Sequence, residues 1–271
     1  MAFQGPYSRK QSIRTSRVVL LFCGSLSLGS YFWSPLSLLQ AVLDLLGRAY
    51  LNFILGAMAH EGSHGHLART RRGNLWWGRL ALLPVGVVSV VFRKTHLHHH
   101  ANTNLAERDP DEFLNTPHRW QIPLRAIAMP YQWLHWIKRN QIFNRKDWIE
   151  YALTLLGFVA VFGTIGWFTG YSQLLIRLFF SEILHGFLLW YVFALRTHEG
   201  YSTGSEESRS HNYAGKLLHF FSGGLSMHRL HHMKPGLSWL EMTHHIPKAQ
   251  WRDVLTLKRD MRSEQTQLQP S

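Results

Sequence analysis

The stretch ALTLLGFVAVFGTIGWFTG, residues 152–170, carries no charged side chain. About 20 such residues cross the hydrocarbon core of a bilayer as a helix, so this run restricts the chain to folds that can house a spanning helix. A second run, 174–195, follows after YSQ and holds only Arg177, Glu182 and His185 as ionisable groups. Together they predict a helical hairpin. An earlier apolar block predicts another, 18–33 and 36–59, turning near Ser34 and Pro35. The mean hydropathy of -0.12 hides this contrast between oily blocks and basic, histidine-rich stretches.

Charge sets the orientation. The N-terminal arm carries Arg9, Lys10, Arg14 and Arg17, residues 67–150 hold thirteen Lys or Arg, residues from 196 onward hold ten, and the two hairpin turns hold none. By the positive-inside bias, both termini and every basic segment face the cytoplasm. The net charge of +13 then reads as attraction to anionic headgroups and acidic partner proteins. It does not read as nucleic-acid binding, because the basic residues track membrane flanks rather than a recognition motif. The single Cys23 excludes disulfides, cysteine zinc sites and an iron–sulfur cluster of the chain's own. No cleavable signal, internal repeat or low-complexity run stands out. Within the spans, Asp44 and Arg48 at i, i+4 are expected to offset each other's burial. Glu182 and His185, at i, i+3, are expected either as a structural pair or as part of a substrate pocket.

Three histidine clusters adjoin these membrane edges. HEGSH places His60 and His64 at i, i+4; HLHHH places His96, His99 and His100 at i, i+3, i+4; HRLHH repeats that spacing at His228, His231 and His232. On a helix each set shares one side, which His98 leaves. Neutral imidazole is a metal ligand, and eight rings are twice what one four-coordinate ion uses, so two ions are expected. Ligand type alone does not name the metal. His66, His118, His135, His219, His244 and His245 stand singly or as an unmatched pair and are expected in surface or structural roles.

The order HEGSH, HLHHHANTNLAERDPDEF and HRLHHMKPGLSW resembles the membrane fatty acid desaturase superfamily, which includes carotenoid hydroxylases and ketolases. The resemblance covers roughly residues 55–240. It implies an all-α polytopic membrane protein with four transmembrane helices and a cytosolic helical cap carrying a His-ligated di-metal site. The expected layout is a basic arm at 1–17, one membrane domain at 18–250 and a polar tail at 251–271. It further implies two non-haem iron ions held by His60, His64, His96, His99, His100, His228, His231 and His232. The resemblance implies a ninth ligand, expected at His198 in LRTHEGY, with His211 as its substitute. Relatives carry their histidine after the glutamate, whereas here His198 precedes Glu199. Asp109, Asp111 and Glu199 are expected behind the ligands, where carboxylates orient imidazoles.

The resemblance implies reductive activation of O2 and attack on an unactivated C–H bond of a lipophilic substrate, fatty acyl lipids first and carotenoids second. Desaturation, hydroxylation and ketolation remain open, and a polar, amino-acid-like substrate is not excluded. Electrons must come from a separate ferredoxin, rubredoxin or cytochrome. Two rivals stand beside this reading. HEGSH also fits the HExxH pattern of a membrane zinc protease, and the clusters fit a non-catalytic metal-binding or transport protein.

Overall fold

The computed structural model describes residues 7–189, 196–198, 210–213 and 215–245. Among these the architecture is helical, without strands. Three helices are long and apolar enough to cross a membrane: Leu38–Ser63, Arg145–Thr169 and Tyr171–Leu189. The end of the expected last span, 190–195, lies outside the described residues.

Helix α1 (Arg9–Gly29) starts well before the expected 18, so the arm at 1–17 is helical over its second half. Its start is fixed by a capping box, in which Ser8 accepts from the Gln11 N–H and the Gln11 side chain accepts from the Ser8 N–H. Its buried face mixes serines with Ile13, Leu20 and Cys23, and its outward face is largely apolar from residue 18 on. Ser12, Ser16 and Ser27 are buried, while Val18, Leu21, Phe22 and Leu26 are exposed. Each buried serine has a partner: Ser238 for Ser12 at 2.6 Å, the Trp239 indole N–H for Ser16 at 2.9 Å, and Asn52 for Ser27 at 2.7 Å. Counting serine as polar lowers the helix's apparent hydropathy, yet its outward face is apolar.

Helix α2 (Leu38–Ser63) is the hub, packing on α1, on α3 (Arg71–Leu82), on α4 (Ser89–Asn102) and on α7 (Tyr171–Gly186). Its Arg48 grips both oxygens of Asp44 at 3.0 and 3.2 Å and lies over the Tyr31 ring at 3.8 Å, a buried and paired charge as expected. Arg177 of α7 is used similarly. Its guanidinium donates to the carbonyls of Ser30 and Tyr31, satisfying groups left bare where α1 ends.

Helices α5 (Ile122–Arg139) and α6 (Arg145–Thr169) complete the frame. The expected YSQ turn is instead a single residue. Gly170, at φ +90°, reverses the chain between α6 and α7, and YSQ opens α7. The tight reversal lays the Tyr171 ring on Gly166, where a Cβ would sit 2.5 Å from it. Leu153, Leu156, Val159, Trp167 and Phe168 of α6 and Leu175, Ile176, Phe179 and Phe180 of α7 point outward. So large an exposed apolar area marks a lipid-facing surface.

Helices α3, α4 and α5 pack against the ends of these long helices. Lys94–Asp147 at 3.2 Å and Arg79–Glu150 at 3.0 Å fasten α4 and α3 to the start of α6. The main core lies beneath, with Met58, Phe92, Met129, Trp133, Met227 and Trp239 among its buried residues. One turn at Arg196–His198 (α8) and the short helices α9 (Lys216–Phe221) and α10 (His228–Met233) close the structure over it.

Candidate metal centre

Three helices and one turn deliver nine histidines to this core. His60 ends the buried face of α2, and His64 caps the helix. The loop after it is locked by Asn74, whose carbonyl oxygen accepts from the Leu67 and Ala68 N–H groups and whose amide donates to the Ala68 and Thr70 carbonyls. His96, His99 and His100 come from α4, His198 from α8, and His228, His231 and His232 from α10.

The rings sort into two groups. His60, His64, His96, His100 and His231 each offer one nitrogen within 4.8 Å of the others; His99, His198, His228 and His232 do the same. Each HxxHH box is therefore split. In α4 the i, i+4 pair joins the first group and His99 the second, whereas in α10 the i, i+4 pair joins the second group and His231 the first. The two boxes exchange their middle rings.

The closest approaches are between Nε2 atoms. In the first group they are His64–His96 at 2.8 Å, His64–His231 at 3.2 Å and His100–His231 at 3.1 Å. In the second they are His198–His228 at 2.8 Å and His228–His232 at 3.1 Å. A ring nitrogen carries one proton or one lone pair, so His64, His231 and His228, each facing two others, cannot satisfy both by hydrogen bonding. Nε2 of His60 is buried with no partner at all. A shared cation resolves both problems. Nitrogens held about 2.1 Å from one ion are about 3.0 Å apart at a right angle and about 3.4 Å apart at the tetrahedral angle. The closest approaches fall near these values and every pair in each group lies within 4.8 Å, so the donor set fits metal ions.

Burial, reinforced by neighbouring rings, holds His96, His228, His231 and His232 well below the ordinary imidazole range, and His64 down to about 3. They are neutral donors. His99 differs: burial opposes its charge, but the carboxylates of Asp109 and Asp111 raise it to about 9. Its Nδ1 donates to Asp109 at 2.9 Å, leaving Nε2 for the centre. Asp109 also accepts the N–H groups of Asn104 and Asp111. Asp111 accepts from the Trp133 indole at 2.8 Å and lies 3.6 Å from His99.

Beside both groups lies a cavity of about 50 Å3 with an apolar wall of Gly56, Phe92, Leu189 and Leu225. Glu182 and His185 of α7 do not line it. They form a pair at 3.0 Å and line a second cavity of about 260 Å3 between α5 and α7.

Glu61, the glutamate of HExxH, turns away from the centre. One oxygen binds the buried His66 ring at 3.2 Å and the Trp239 N–H at 3.1 Å, pinning the loop after the third box to the first. His219 holds the Trp239 carbonyl at 2.7 Å. His98 packs on Trp136, and His118, His135 and His245 are exposed. His211 is buried but belongs to neither group; its backbone pairs with Thr197 and Arg229. Glu199 lies outside the described residues. Sequence reasoning missed Trp133 and Gly56, because a lone tryptophan and a lone glycine in helices carry no local mark of what they face.

Residues 32–255 match the family model described as fatty acid desaturase. Comparison with curated proteins gives no match. With that match spanning α2, the α6–α7 hairpin and all three histidine boxes, the chain belongs to the fatty acid desaturase family, whose members are oxidoreductases.

Proposed function

We propose that the chain is a membrane-bound non-haem di-iron oxygenase that uses O2 to desaturate or hydroxylate an unactivated C–H bond of a lipophilic substrate, a fatty acyl lipid before a carotenoid. The observation that carries this reading is the pairing of two all-histidine groups with one apolar-walled cavity between them and the membrane helices. His60, His64, His96, His100 and His231 would hold one iron, and His99, His198, His228 and His232 the other. Imidazole ligation suits iron, and membership of the fatty acid desaturase family supports iron as the metal. Bound iron would supply activation of O2 by external electrons.

The rest is the work of the chain. Burial keeps the His64, His96, His228, His231 and His232 rings neutral, Asp109 orients His99 through its Nδ1, and Phe92, Leu189 and Leu225 exclude water from the place a hydrocarbon segment would occupy. Positioning of one C–H bond in that cavity decides between alkene and alcohol. The protease alternative loses support because both bonds that fix Glu61 are structural. An exchangeable transport site is disfavoured by burial and by the number of ligands.

The same reading makes α1 the fourth span, with serines facing its neighbours, as small residues do between membrane helices. It places both termini and the metal centre on the cytoplasmic side, within a single membrane domain at 18–250. A basic cavity of about 580 Å3, lined by Arg9, Arg69, Arg71 and Arg93, reaches His64 and suits docking of an acidic electron donor.

Metal analysis of the purified protein should find about two irons per chain. Expression with a reductase, followed by lipid mass spectrometry, should give a product lighter by two hydrogens or heavier by one oxygen. One zinc per chain and no lipid product would overturn the proposal. Turnover should also fall as salt rises from low to physiological, because the donor is steered by charge.

A further inference from the structure

Helices α2 and α7 meet along two matched stripes. On α2, Asn52, Gly56 and His60 follow one another at one-turn spacing; along α7 and the turn that continues it to Leu189, Glu182, His185 and Leu189 do so. The lower pair is a polar relay inside the membrane region. Ser27 donates to Asn52 at 2.7 Å, the Asn52 amide donates to one Glu182 oxygen at 2.8 Å, and the other Glu182 oxygen meets Nδ1 of His185 at 3.0 Å. The relay ends on Nε2 of His185, which is buried and has no hydrogen-bond partner among the described residues. His185 itself is 3% exposed.

What that nitrogen faces is informative. A Cβ on Gly56 would lie 3.7 Å from it and 3.3 Å from Leu189. Gly56 and Leu189 line the cavity beside the histidine groups, and Glu182 and His185 line the 260 Å3 cavity between α5 and α7. Gly56 and Leu189 of the first lining thus meet His185 of the second. Exposed Ile127 and Phe179 flank the outer cavity, which therefore opens toward lipid.

We propose that His185 is a substrate-anchoring residue, and that the ligand entering between α5 and α7 is a lipid bearing a hydroxyl group, held by Nε2 about one helical turn from the metal ligands. A buried imidazole nitrogen costs free energy unless it is paired, and three further side chains are spent on orienting it. A hydroxyl both donates and accepts, so it suits Nε2 whether or not that nitrogen carries a proton. This rests on the oxygenase reading for what happens next to the ligand, but the binding step is separable from it.

The test uses full-length protein in detergent, both iron-loaded and metal-free, with 1-octanol and n-octane at equal mole fraction in the micelle. The ligand-dependent rise in melting temperature gives apparent affinities. The alcohol should bind about 3- to 10-fold more tightly than the alkane, the value of one net hydrogen bond. His185→Leu should abolish the preference and His185→Gln should retain part of it, with metal content unchanged in both. Equal affinities in the native protein would overturn the proposal, as would a preference that survives His185→Leu. Failure to bind iron would instead sink the oxygenase reading, and the metal-free measurements would still decide the anchor.

Discussion

The two histidine groups use the same ligand and differ in what stands behind it. In the first, Glu61 stands 3.9 Å from Nδ1 of His60 and spends its other oxygen on His66 and Trp239, so among the described residues no carboxylate hydrogen-bonds to the five rings. In the second, Asp109 and Asp111 both approach His99. A carboxylate behind an imidazole makes it a more basic ligand and offsets positive charge at the centre. The first group compensates by number, the second by charge. The two sites should therefore differ in how they lose metal, which makes the comparison breakable.

The largest effect should come from His231→Ala. His231 joins His64 and His100 at 3.2 and 3.1 Å, so its loss opens the first group at its middle. Activity should fall by more than about 100-fold, since even groups standing behind ligands are worth about 10–100-fold. Iron should drop from about two per chain to about one. Asp109→Asn should act on the other group alone, weakening one of the two metals by about 10–100-fold. A chelator titration followed by iron release should then separate into two steps. If both metals weaken equally, the groups are not distinguished by Asp109.

A smaller change tests whether the charge behind His99 must itself be held. Trp133→Phe removes the indole N–H from Asp111 while keeping most of the ring packed against Phe92. One net hydrogen bond is about 1 kcal/mol, so the second metal should weaken by less than about tenfold. A loss as large as that of Asp109→Asn would assign Asp111 the greater part of the carboxylate effect.

Helical spacing made the rings of the three boxes legible because it is local: i, i+3 and i+4 fix which side of α2, α4 and α10 a ring leaves from, whereas His198 came only from the resemblance, with His211 as its substitute. Spacing did not divide the rings. Whether His99 goes with His96 or with His228 depends on how α4 crosses α10, and no spacing within either box encodes that crossing. The same limit explains α1, where Ser12, Ser16 and Ser27 lower the hydropathy although their hydroxyls are consumed by Ser238, Trp239 and Asn52, distant in sequence. The hairpin of α6 and α7 was readable from composition. Its turn at Gly170 rather than YSQ was not, because that choice depends on Tyr171 closing over Gly166.

The smallest effect is expected at the histidine that most resembles a ligand. His98 stands between ligands in HLHHH, yet its ring lies 5.3 Å from the Trp136 ring and joins neither group. Helical phase accounts for this, since its neighbours at 96, 99 and 100 already define the inward stripe. His98→Ala should leave the iron content at about two per chain and activity within about twofold, with a stability change of under about 1 kcal/mol, as for a surface substitution. Loss of one iron in this variant would mean that α4 is rotated relative to both groups. The division of each box between them would then fail with it, because His99 and His100 hold their separate places only while His98 points out.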